Sequence, residues 1–423
     1  MTRRGRSLVV AAFLASAAST GCRGCRDGRS ARGDAAPASE AALAAPAPVA
    51  VDVGAVPAVA LSPFEVERDP AAVALPPGCA IIPPVRVAPL PPEATTRFLT
   101  GRTTLDALVV GETRGDAARL TARGAVDLTS GRVEPRIPWA VPDRPPLFER
   151  TPEGWVAPLA LGDGESTRAV LWREHAPAVE LAAGDALELV DLACSAGRCA
   201  VLTTRARASA LPGATLLRGA TGAASPAFTR VDLEPEGAGL TPFALAGFDG
   251  AADAAWVALA APTEVALWRV EGANARLRRT DATPFGAYDA VATAAGPLVI
   301  APGQPRDAAC SSEGFRLVLL GPKGAPGSVR LVAPPVGVIA RPLARGALVA
   351  WVAPEHCRAT RRMVVHALLV DDDGAPVGAP MAVTPGAGFA LATRGDELSL
   401  WVRSDHGLTW LRGRCAAPAG DGG

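Results

Sequence analysis

The sequence contains few of the residues that build catalytic and metal sites. Its 423 residues include four histidines, one tyrosine, Tyr288, and one lysine, Lys323. The histidines are scattered, without the close spacing of zinc ligands. It has neither a Gly-x-Ser-x-Gly nucleophile elbow nor a phosphate loop ending in Gly-Lys-Ser/Thr. We therefore predict no catalytic, cofactor-binding or metal-binding residues, and a non-catalytic protein is favoured over an enzyme.

An excess of one charge is also lacking. Basic and acidic side chains number 42 each, so the formal net charge is zero. Because nucleic-acid-binding proteins usually carry a basic excess, we predict no nucleic-acid partner. Glycine and proline are abundant instead, with 44 and 40 copies, while hydrophobic residues still make up 49% of the chain. This composition argues against a mostly helical protein.

No hydrophobic run is long enough to cross a membrane as a helix, which takes about 20 residues. The apolar stretch Leu8–Ala18 follows three arginines and ends in small residues, as a secretory signal does. A helix-breaking residue recurs throughout the second apolar region, residues 44–64, so this region is not a membrane helix. The interruptions are Pro46, Pro48, Asp52, Pro57 and Pro63.

The segment Ser19-Thr20-Gly21-Cys22 follows the first apolar stretch and resembles the lipobox of bacterial lipoproteins. The small residues and the cysteine fit this motif, whereas Ser19 stands where leucine is usual. The resemblance implies that residues 1–21 are a signal peptide and that Cys22 is lipidated. The protein would then be anchored to the outer membrane of the cell envelope, facing the periplasm or the cell surface. Ordinary cleavage near Ala17 is the alternative.

Residues 22–78 are rich in alanine, proline, glycine and serine and almost free of aromatic residues. Such a segment buries too little apolar surface to offset the entropy lost on ordering. We predict that it is a disordered tether, and that residues 416–423 are a disordered tail. The folded domain is then predicted to span residues 79–415.

Within this domain the sequence repeats with a mean period of about 49 residues. Each unit begins with a glycine, followed by a short apolar run of strand length, such as Ala200–Thr204, and then by a second run. The glycines are Gly101, Gly154, Gly197, Gly250, Gly296, Gly346 and Gly395. Three or four strands per unit of this length is the size of a propeller blade. We predict an all-β fold, a seven-bladed β-propeller, with six or eight blades as the alternatives.

The last unit ends before a full blade is complete. We predict that residues 80–87 supply its missing strand, because an unpaired sheet edge invites aggregation. Cys79 and Cys415 flank these two pieces, and a disulfide between them would close the ring. Two further disulfides are predicted, since exported proteins usually oxidise paired cysteines. They join Cys194 to Cys199 and Cys310 to Cys357.

Near the C-terminus, Asp405-His406-Gly407-Leu408-Thr409-Trp410 resembles the Asp-box of sialidase-like and sortilin-like propellers. The resembling residues are Asp405, Gly407, Thr409 and Trp410, and the sequence holds no second good copy. In those families the motif is a turn between two blade strands, with its tryptophan packed inward. The resemblance therefore supports the fold and implies no activity.

Two weaker candidates for chemistry remain. Asp371-Asp372-Asp373 is predicted to be a solvated turn, with calcium binding as the alternative. Tyr288 beside Asp289 is the one place where a sialidase-type tyrosine nucleophile could lie. The sequence thus favours a lipid-anchored, non-catalytic propeller that binds a protein or glycan ligand on one face. The alternative is an extracytoplasmic hydrolase or lyase with its site in the central channel.

Overall fold

The structure is a computed structural model, and it describes sixteen stretches of the chain. These are residues 66–68, 73–88, 95–100, 107–114, 120–127, 133–134, 147–162, 167–184, 187–207, 210–222, 227–233, 240–305, 314–323, 326–357, 362–404 and 407–416. Every regular element assigned in them is a β-strand. In these stretches, no helix is long and apolar enough to span a membrane.

The strands form seven antiparallel sheets, which we number as blades in chain order. Blade 1 contains β3 (Thr95–Thr100), β4 (Ala107–Arg114), β5 (Leu120–Asp127) and β6 (Val133–Glu134). Blade 2 contains β7 (Glu149–Thr151), β8 (Gly154–Gly162), β9 (Thr167–Arg173) and β10 (Ala176–Gly184). Blade 3 contains β11 (Leu187–Ser195), β12 (Arg198–Arg207), β13 (Ala210–Ala220) and β14 (Phe228–Leu233).

The remaining blades follow the same order. Blade 4 contains β15 (Thr241–Asp249), β16 (Ala254–Ala261), β17 (Glu264–Glu271) and β18 (Asn274–Ala282). Blade 5 contains β19 (Asp289–Thr293), β20 (Gly296–Pro302), β21 (Phe315–Leu320) and β22 (Pro326–Leu331). Blade 6 contains β23 (Val336–Pro342), β24 (Ala347–Pro354), β25 (Met363–Val370) and β26 (Met381–Pro385). Blade 7 contains β27 (Gly388–Arg394), β28 (Glu397–Ser404) and β29 (Gly407–Cys415), together with β2 (Cys79–Ala88) and β1 (Val66–Arg68) from the start of the fold.

The first strands of neighbouring blades contact one another. Contacts run from β7 to β11, β15, β19, β23 and β27 in turn, and β27 then contacts β3 of blade 1. The first strands therefore form the inner wall of the ring. This arrangement is the predicted β-propeller, and the seven sheets agree with the predicted blade number.

The N-terminal strand completes the last blade as predicted. β2 pairs antiparallel with β29, so residues from the two ends of the domain share one sheet. Cys79 lies directly opposite Cys415 in this pairing, and the two form a disulfide bond across 336 residues of sequence. The first and last parts of the propeller are thus joined both by backbone hydrogen bonds and by a covalent bond.

The fold starts earlier than the boundary predicted at residue 79. β1 adds a fifth strand to blade 7 by pairing with β2, with Val66 opposite Val87. Val73 and Leu75 are buried in the core of blades 6 and 7. The sequence does not predict this part of the fold, because its apolar residues lie among prolines and alanines and form no run of strand length.

In the structure, the first apolar run of each predicted unit lies in the second strand of a blade. The run at Ala200–Thr204 lies in β12, and the run at Leu348–Val352 lies in β24. The second strands are covered on both faces by neighbouring sheets, so almost every residue of β24 is buried. The true first strands lack this signature because polar residues such as Asp191 and Asp289 interrupt them.

The hydrophobic core lies between adjacent blades. One cluster joins side chains of blades 3 and 4, another joins blades 5 and 6, and a third joins blades 6 and 7. Trp351 and Trp401, which the repeat places about 50 residues apart, lie in β24 and β28 and are both buried. These two blades therefore contribute the same large side chain at the same level, as the internal repeat predicts.

Candidate functional site

The acidic residues of the inner strands bind the backbone of the next blade. Asp191 in β11 accepts a hydrogen bond through Oδ2 from the N–H of Leu245 in β15, at 2.8 Å. Asp289 in β19 likewise accepts the N–H of Ala340 in β23, also at 2.8 Å. In each carboxylate the other oxygen accepts the N–H of the following residue. Both groups are therefore structural links between first strands.

A buried arginine extends this network by one blade. Arg341 in β23 donates through Nε to the carbonyl of Leu391 in β27, at 3.1 Å. Its Nη1 donates to the carbonyl of Ala340 and lies 3.7 Å from Oδ2 of Asp289. The side chains of Asp289 and Arg341 are each 9% exposed. A buried ion pair is costly unless its other donors and acceptors are hydrogen-bonded. The backbone hydrogen bonds of Asp289 and Arg341 meet this requirement and hold both side chains in place.

Tyr288 and Asp289, the candidate pair for sialidase-type chemistry, lie at the start of β19. The carboxylate oxygens of Asp289 accept the backbone N–H groups of Ala290 and Ala340. The backbone N–H of Tyr288 donates to the carbonyl of Ile300, and its ring packs against the core of blades 5 and 6. The carboxylate of Asp289 is therefore engaged by the backbone, and the ring of Tyr288 is held against the core.

Three further arginines connect successive blades by donating to carbonyls in the turns of the next blade. Arg173 of blade 2 donates to the carbonyl of Thr221 in blade 3, at 2.9 Å. Arg218 of blade 3 donates to the carbonyls of Asp253 and Gly272 in blade 4. Arg279 of blade 4 donates to the carbonyl of Gly321 in blade 5, at 2.7 Å. These side chains therefore join blades 2 to 5 in series.

Burial of these guanidinium groups has an electrostatic cost. It lowers the pKa of Arg173 and of Arg218 below the ordinary arginine value, although Asp253 opposes the effect at Arg218. Burial also raises the pKa of Asp281, whose partner Arg279 lowers it in turn. Arginine suits these positions because its planar fork can serve two carbonyls at once. These arginines therefore hold the blades together.

The Asp371-Asp372-Asp373 turn is a structural clamp between blades 5 and 6. Asp371 accepts two N–H groups of its own turn, from Asp373 and Ala375. Asp372 accepts the N–H groups of Gly346 and Ala294, joining blades 6 and 5. The sequence favours a solvated turn, and the structure adds the contacts that the Asp372 carboxylate makes between blades.

Asp373 completes the clamp with an ion pair to the lone lysine of the sequence. Its Oδ2 lies 2.8 Å from Nζ of Lys323 in blade 5. This hydrogen bond and the nearby charge raise the pKa of Lys323 above its ordinary value. Both side chains are largely exposed, so the pair adds orientation more than stability.

The predicted disulfides are placed as follows. Cys194 and Cys199 are bonded across the hairpin between β11 and β12. The turn itself is Ala196-Gly197, both with positive φ, as a tight hairpin with two loop residues requires. Cys357 is also disulfide-bonded, whereas its predicted partner Cys310 lies outside the described residues, as Cys22 does.

The Asp-box segment lies at the start of β29, where the families it resembles place a turn between strands. Asp405 lies outside the described residues. Gly407 has φ of 136° at the hairpin, and Thr409 and Trp410 are buried in β29. The guanidinium of Arg86, from β2, lies 5.5 Å from the Trp410 ring centroid. Trp410 thus packs where the N-terminal strand joins the last blade.

A cavity of about 780 Å³ opens beside Trp256, on the end of the ring that carries the β11–β12, β15–β16 and β19–β20 hairpins. We call this end the hairpin face and this cavity the Trp256 pocket. It spans blades 3 to 6, with most of its wall in blades 4 and 5. Its lining residues are Ala193, Ala246, Gly247, Phe248, Asp249, Trp256, Arg269, Glu271, Arg278, residues 292–296 and Pro342.

Small residues make room for this pocket. A Cβ on Gly247 would lie 2.7 Å from the Cβ of Ala292, so glycine permits β15 and β19 to approach closely at the pocket wall. Ala294 and Ala295 line the opposite side and are exposed. Trp256 and Phe248 are only partly buried and supply the aromatic surface. A concave site with an aromatic wall is typical of small-ligand binding.

The polar groups of the pocket come mainly from the outer strands of blade 4. The guanidinium of Arg269 lies 5.3 Å from the Trp256 ring centroid and donates through Nε to Glu271, at 3.0 Å. Arg278 is exposed, and it makes no hydrogen bond or ion pair with any described side chain. The pocket thus combines an aromatic platform, a neutralised Arg–Glu pair and a cation with no partner in the described stretches.

A second cavity, of about 540 Å³, lies at the opposite end of the sheets, which we call the loop face. Tyr288, Phe315 and Arg316 line it, and four prolines form much of its rim. Val336 is exposed beside them. We call this cavity the Tyr288 pocket. Its lining is mainly apolar, and the side-chain amide of Gln304 donates a hydrogen bond to the carbonyl of Gly314.

Neither pocket could be found in the sequence. Trp256, Arg269 and Arg278 lie on three different strands, and only the pairing of β16, β17 and β18 brings them together. The one sequence signal is the length of the unit between Gly197 and Gly250, since longer loops on a propeller face favour binding. That unit contributes only the edge of the Trp256 pocket, through residues 246–249.

No protein-family model and no curated protein matches this sequence. Among solved structures, the chain is similar to the β-propeller domain of the Trilobed protease from Pyrococcus furiosus, with 10% identity, a TM-score of 0.45 and coverage of 75% of this chain and 93% of that one. It is also similar to a neuraminidase-like protein of A/little yellow-shouldered bat/Guatemala/060/2010, with 10% identity, a TM-score of 0.41 and coverage of 81% and 100%. A third similar structure is TolB from Acinetobacter baumannii, with 12% identity, a TM-score of 0.33 and coverage of 75% and 79%. The seven sheets and the closing strand of this chain identify it as a β-propeller.

Proposed function

We propose that this protein is a lipid-anchored, extracytoplasmic β-propeller that acts as a non-catalytic binding module of the cell envelope, with its ligand site in the Trp256 pocket. The observation that carries the proposal is that the polar side chains of the inner strands bind neighbouring blades, whereas, in the stretches that the structure describes, a charged side chain at the pocket does not. The inner-strand residues Asp191, Asp289 and Arg341 are committed to hydrogen bonds between blades. Arg278, at the pocket, has no such commitment among the described residues and can meet a ligand.

The extracytoplasmic location is supported by the disulfide bonds. Cys79–Cys415 and Cys194–Cys199 would be kept reduced in an ordinary cytosol, and such bonds are typical of exported proteins. The lipobox-like segment ending at Cys22 supports anchoring by a lipid. The predicted tether, residues 22–78 shortened by the part that the fold includes, would then place the propeller away from the membrane surface.

The geometry favours binding over catalysis in the central channel. A general acid or base must reach the proton that it transfers, within hydrogen-bonding distance. Asp191 and Asp289 direct their oxygens at backbone N–H groups of the neighbouring strand. A hydrolase or lyase using these carboxylates would first have to break the contacts between blades.

The test uses the full chain carrying Cys22→Ser, so that the protein is soluble after export. It is applied to glycan and peptide arrays, and each hit is repeated with Trp256→Ala and with Tyr288→Phe as the control on the opposite face. We expect hits that Trp256→Ala abolishes, that Tyr288→Phe leaves unchanged, and that are recovered chemically intact. Cleavage of a bound ligand, or hits indifferent to Trp256→Ala, would contradict the proposal.

A further inference from the structure

We infer that the Trp256 pocket binds a carboxylate-bearing sugar, with Arg278 pairing with the carboxylate and Trp256 packing against the apolar face of the ring. This inference rests on the proposed function and adds the chemical class of the ligand. It depends on the position of Arg278, on the mixed character of the walls and on the charges around them.

The position of Arg278 is set by an irregularity in the sheet. In β18, Leu277 pairs with Trp268 and Arg279 pairs with Leu267, so Arg278 is an extra residue without a pairing position on β17. A bulge of this kind re-aims a side chain at the cost of local pairing. The residue displaced by this bulge lines the pocket. Its neighbour Arg279, by contrast, is used to hold blade 5.

The other charges near the pocket are already engaged. Glu271 is paired with Arg269, and Oδ1 of Asp249 accepts the N–H groups of Ala251 and Ala252 in its own turn. Arg278 has no such partner in the described part of the chain. An anionic group entering the pocket would therefore meet a cation at no cost in broken ion pairs. Arginine binds a planar carboxylate through two parallel hydrogen bonds.

The walls identify the rest of the ligand. Trp256 and Phe248 offer apolar surface, which a small inorganic anion or a short dicarboxylate would leave uncovered. Arg278 and the Arg269–Glu271 pair add charged groups to the walls, and a purely apolar ligand would lie beside them without forming a hydrogen bond. A sugar ring presents a C–H face together with several hydroxyl groups, so it satisfies both kinds of wall. The volume of about 780 Å³ suits a small ligand rather than a protein surface.

The test is calorimetric titration of the full chain carrying Cys22→Ser with short glucuronate oligomers. Neutral glucose oligomers, glucose 6-phosphate and succinate are the comparison probes. We expect glucuronate oligomers to bind, and Arg278→Gln to weaken them about tenfold or more, because a hydrogen bond to a charged group is lost. Arg278→Lys should lie between, since lysine keeps the charge but lacks the fork.

Arg316→Gln is the matched control, because Arg316 is an exposed arginine in the Tyr288 pocket on the opposite face. It should bind glucuronate oligomers as the parent does. Equal binding of neutral oligomers, stronger binding of succinate or glucose 6-phosphate, or an unchanged affinity in Arg278→Gln would overturn the inference. If the arrays find a Trp256-dependent ligand without a carboxylate, the proposed function stands and this inference fails. If no probe and no array ligand binds, both fail.

Discussion

Cys79 and Cys415 face each other across the β2–β29 pair, and their disulfide joins the two ends of the propeller. β29 also pairs with the preceding strand β28, whereas β2 joins the last blade only through this pairing, across 336 positions of sequence. The bond therefore prevents the N-terminal strand from leaving the last blade. Its departure would expose the edge of β29.

The first prediction concerns this closure. Replacing both Cys79 and Cys415 by serine should lower the free energy of unfolding by up to about 5 kcal/mol, because the bond restricts a very long loop in the unfolded chain. The matched control is the double serine variant of Cys194 and Cys199, whose short loop predicts a loss of about 2 kcal/mol. Denaturant unfolding measures both, and an equal loss would contradict the role of ring closure.

The second prediction concerns the links between inner strands. Asp289→Asn keeps the shape but turns one acceptor oxygen into an N–H₂ donor, which cannot accept the N–H of Ala340 or Ala290. A buried N–H left unpaired costs about 1 to 3 kcal/mol, and we expect a loss of stability of that size. Asp396→Asn, at an exposed turn, should change stability by less than about 0.5 kcal/mol. Thermal and denaturant unfolding distinguish the two variants, and identical stabilities would refute the assignment.

The third prediction is a pH dependence arising from His366. Its ring stacks on Trp351 with centroids 5.7 Å apart, its Nε2 is buried without a partner among the described residues, and burial lowers its pKa below the ordinary value. Between the lowered pKa of the folded state and about 6.5, the unfolded chain binds a proton that the folded chain does not. Stability from this group is therefore fully present above a pH of about 6.5 and is lost as the pH falls through that window.

Replacing His366 by phenylalanine should remove this component. The difference in unfolding free energy between parent and variant should thus change between about pH 7.5 and about pH 5.5. His175→Phe is the control, because the His175 side chain is 69% exposed. If the parent and His366→Phe lose stability in parallel on acidification, the buried histidine is not responsible.

The fourth prediction concerns the N-terminus. Intact mass analysis of the mature protein from a bacterial host with lipoprotein processing should show a chain that starts at Cys22 and carries acyl groups. Cys22→Ser should then be released from the membrane fraction. An unmodified chain starting near Ala18 would instead show ordinary cleavage.

The internal repeat predicted more of this fold than any single motif. Gly346 and Gly395 lie at equivalent hairpins, and Trp351 and Trp401 occupy equivalent buried positions. The spacing of these residues in the sequence therefore equals the length of one blade. The inner strands were missed because Asp191 and Asp289 break their apolar pattern, and those same residues link the blades. A side chain that serves a neighbouring strand looks, in the sequence, like an interruption.

The pockets were unpredictable for a related reason. Trp256 and Arg269 are 13 positions apart and become neighbours only through the register of β16 and β17. Arg278 reaches the same pocket because β18 carries one extra residue. Pairing register and bulges depend on tertiary packing, which no local pattern of residues contains.

The most direct test of the binding account is hydrogen–deuterium exchange of the full chain carrying Cys22→Ser, with and without a ligand found on the arrays. The account predicts slower exchange on the hairpin face, in the peptides that cover residues 246–256, 269–278 and 292–296. Protection on the loop face instead, at residues 302–305, 315–316 and 334–338, would contradict it.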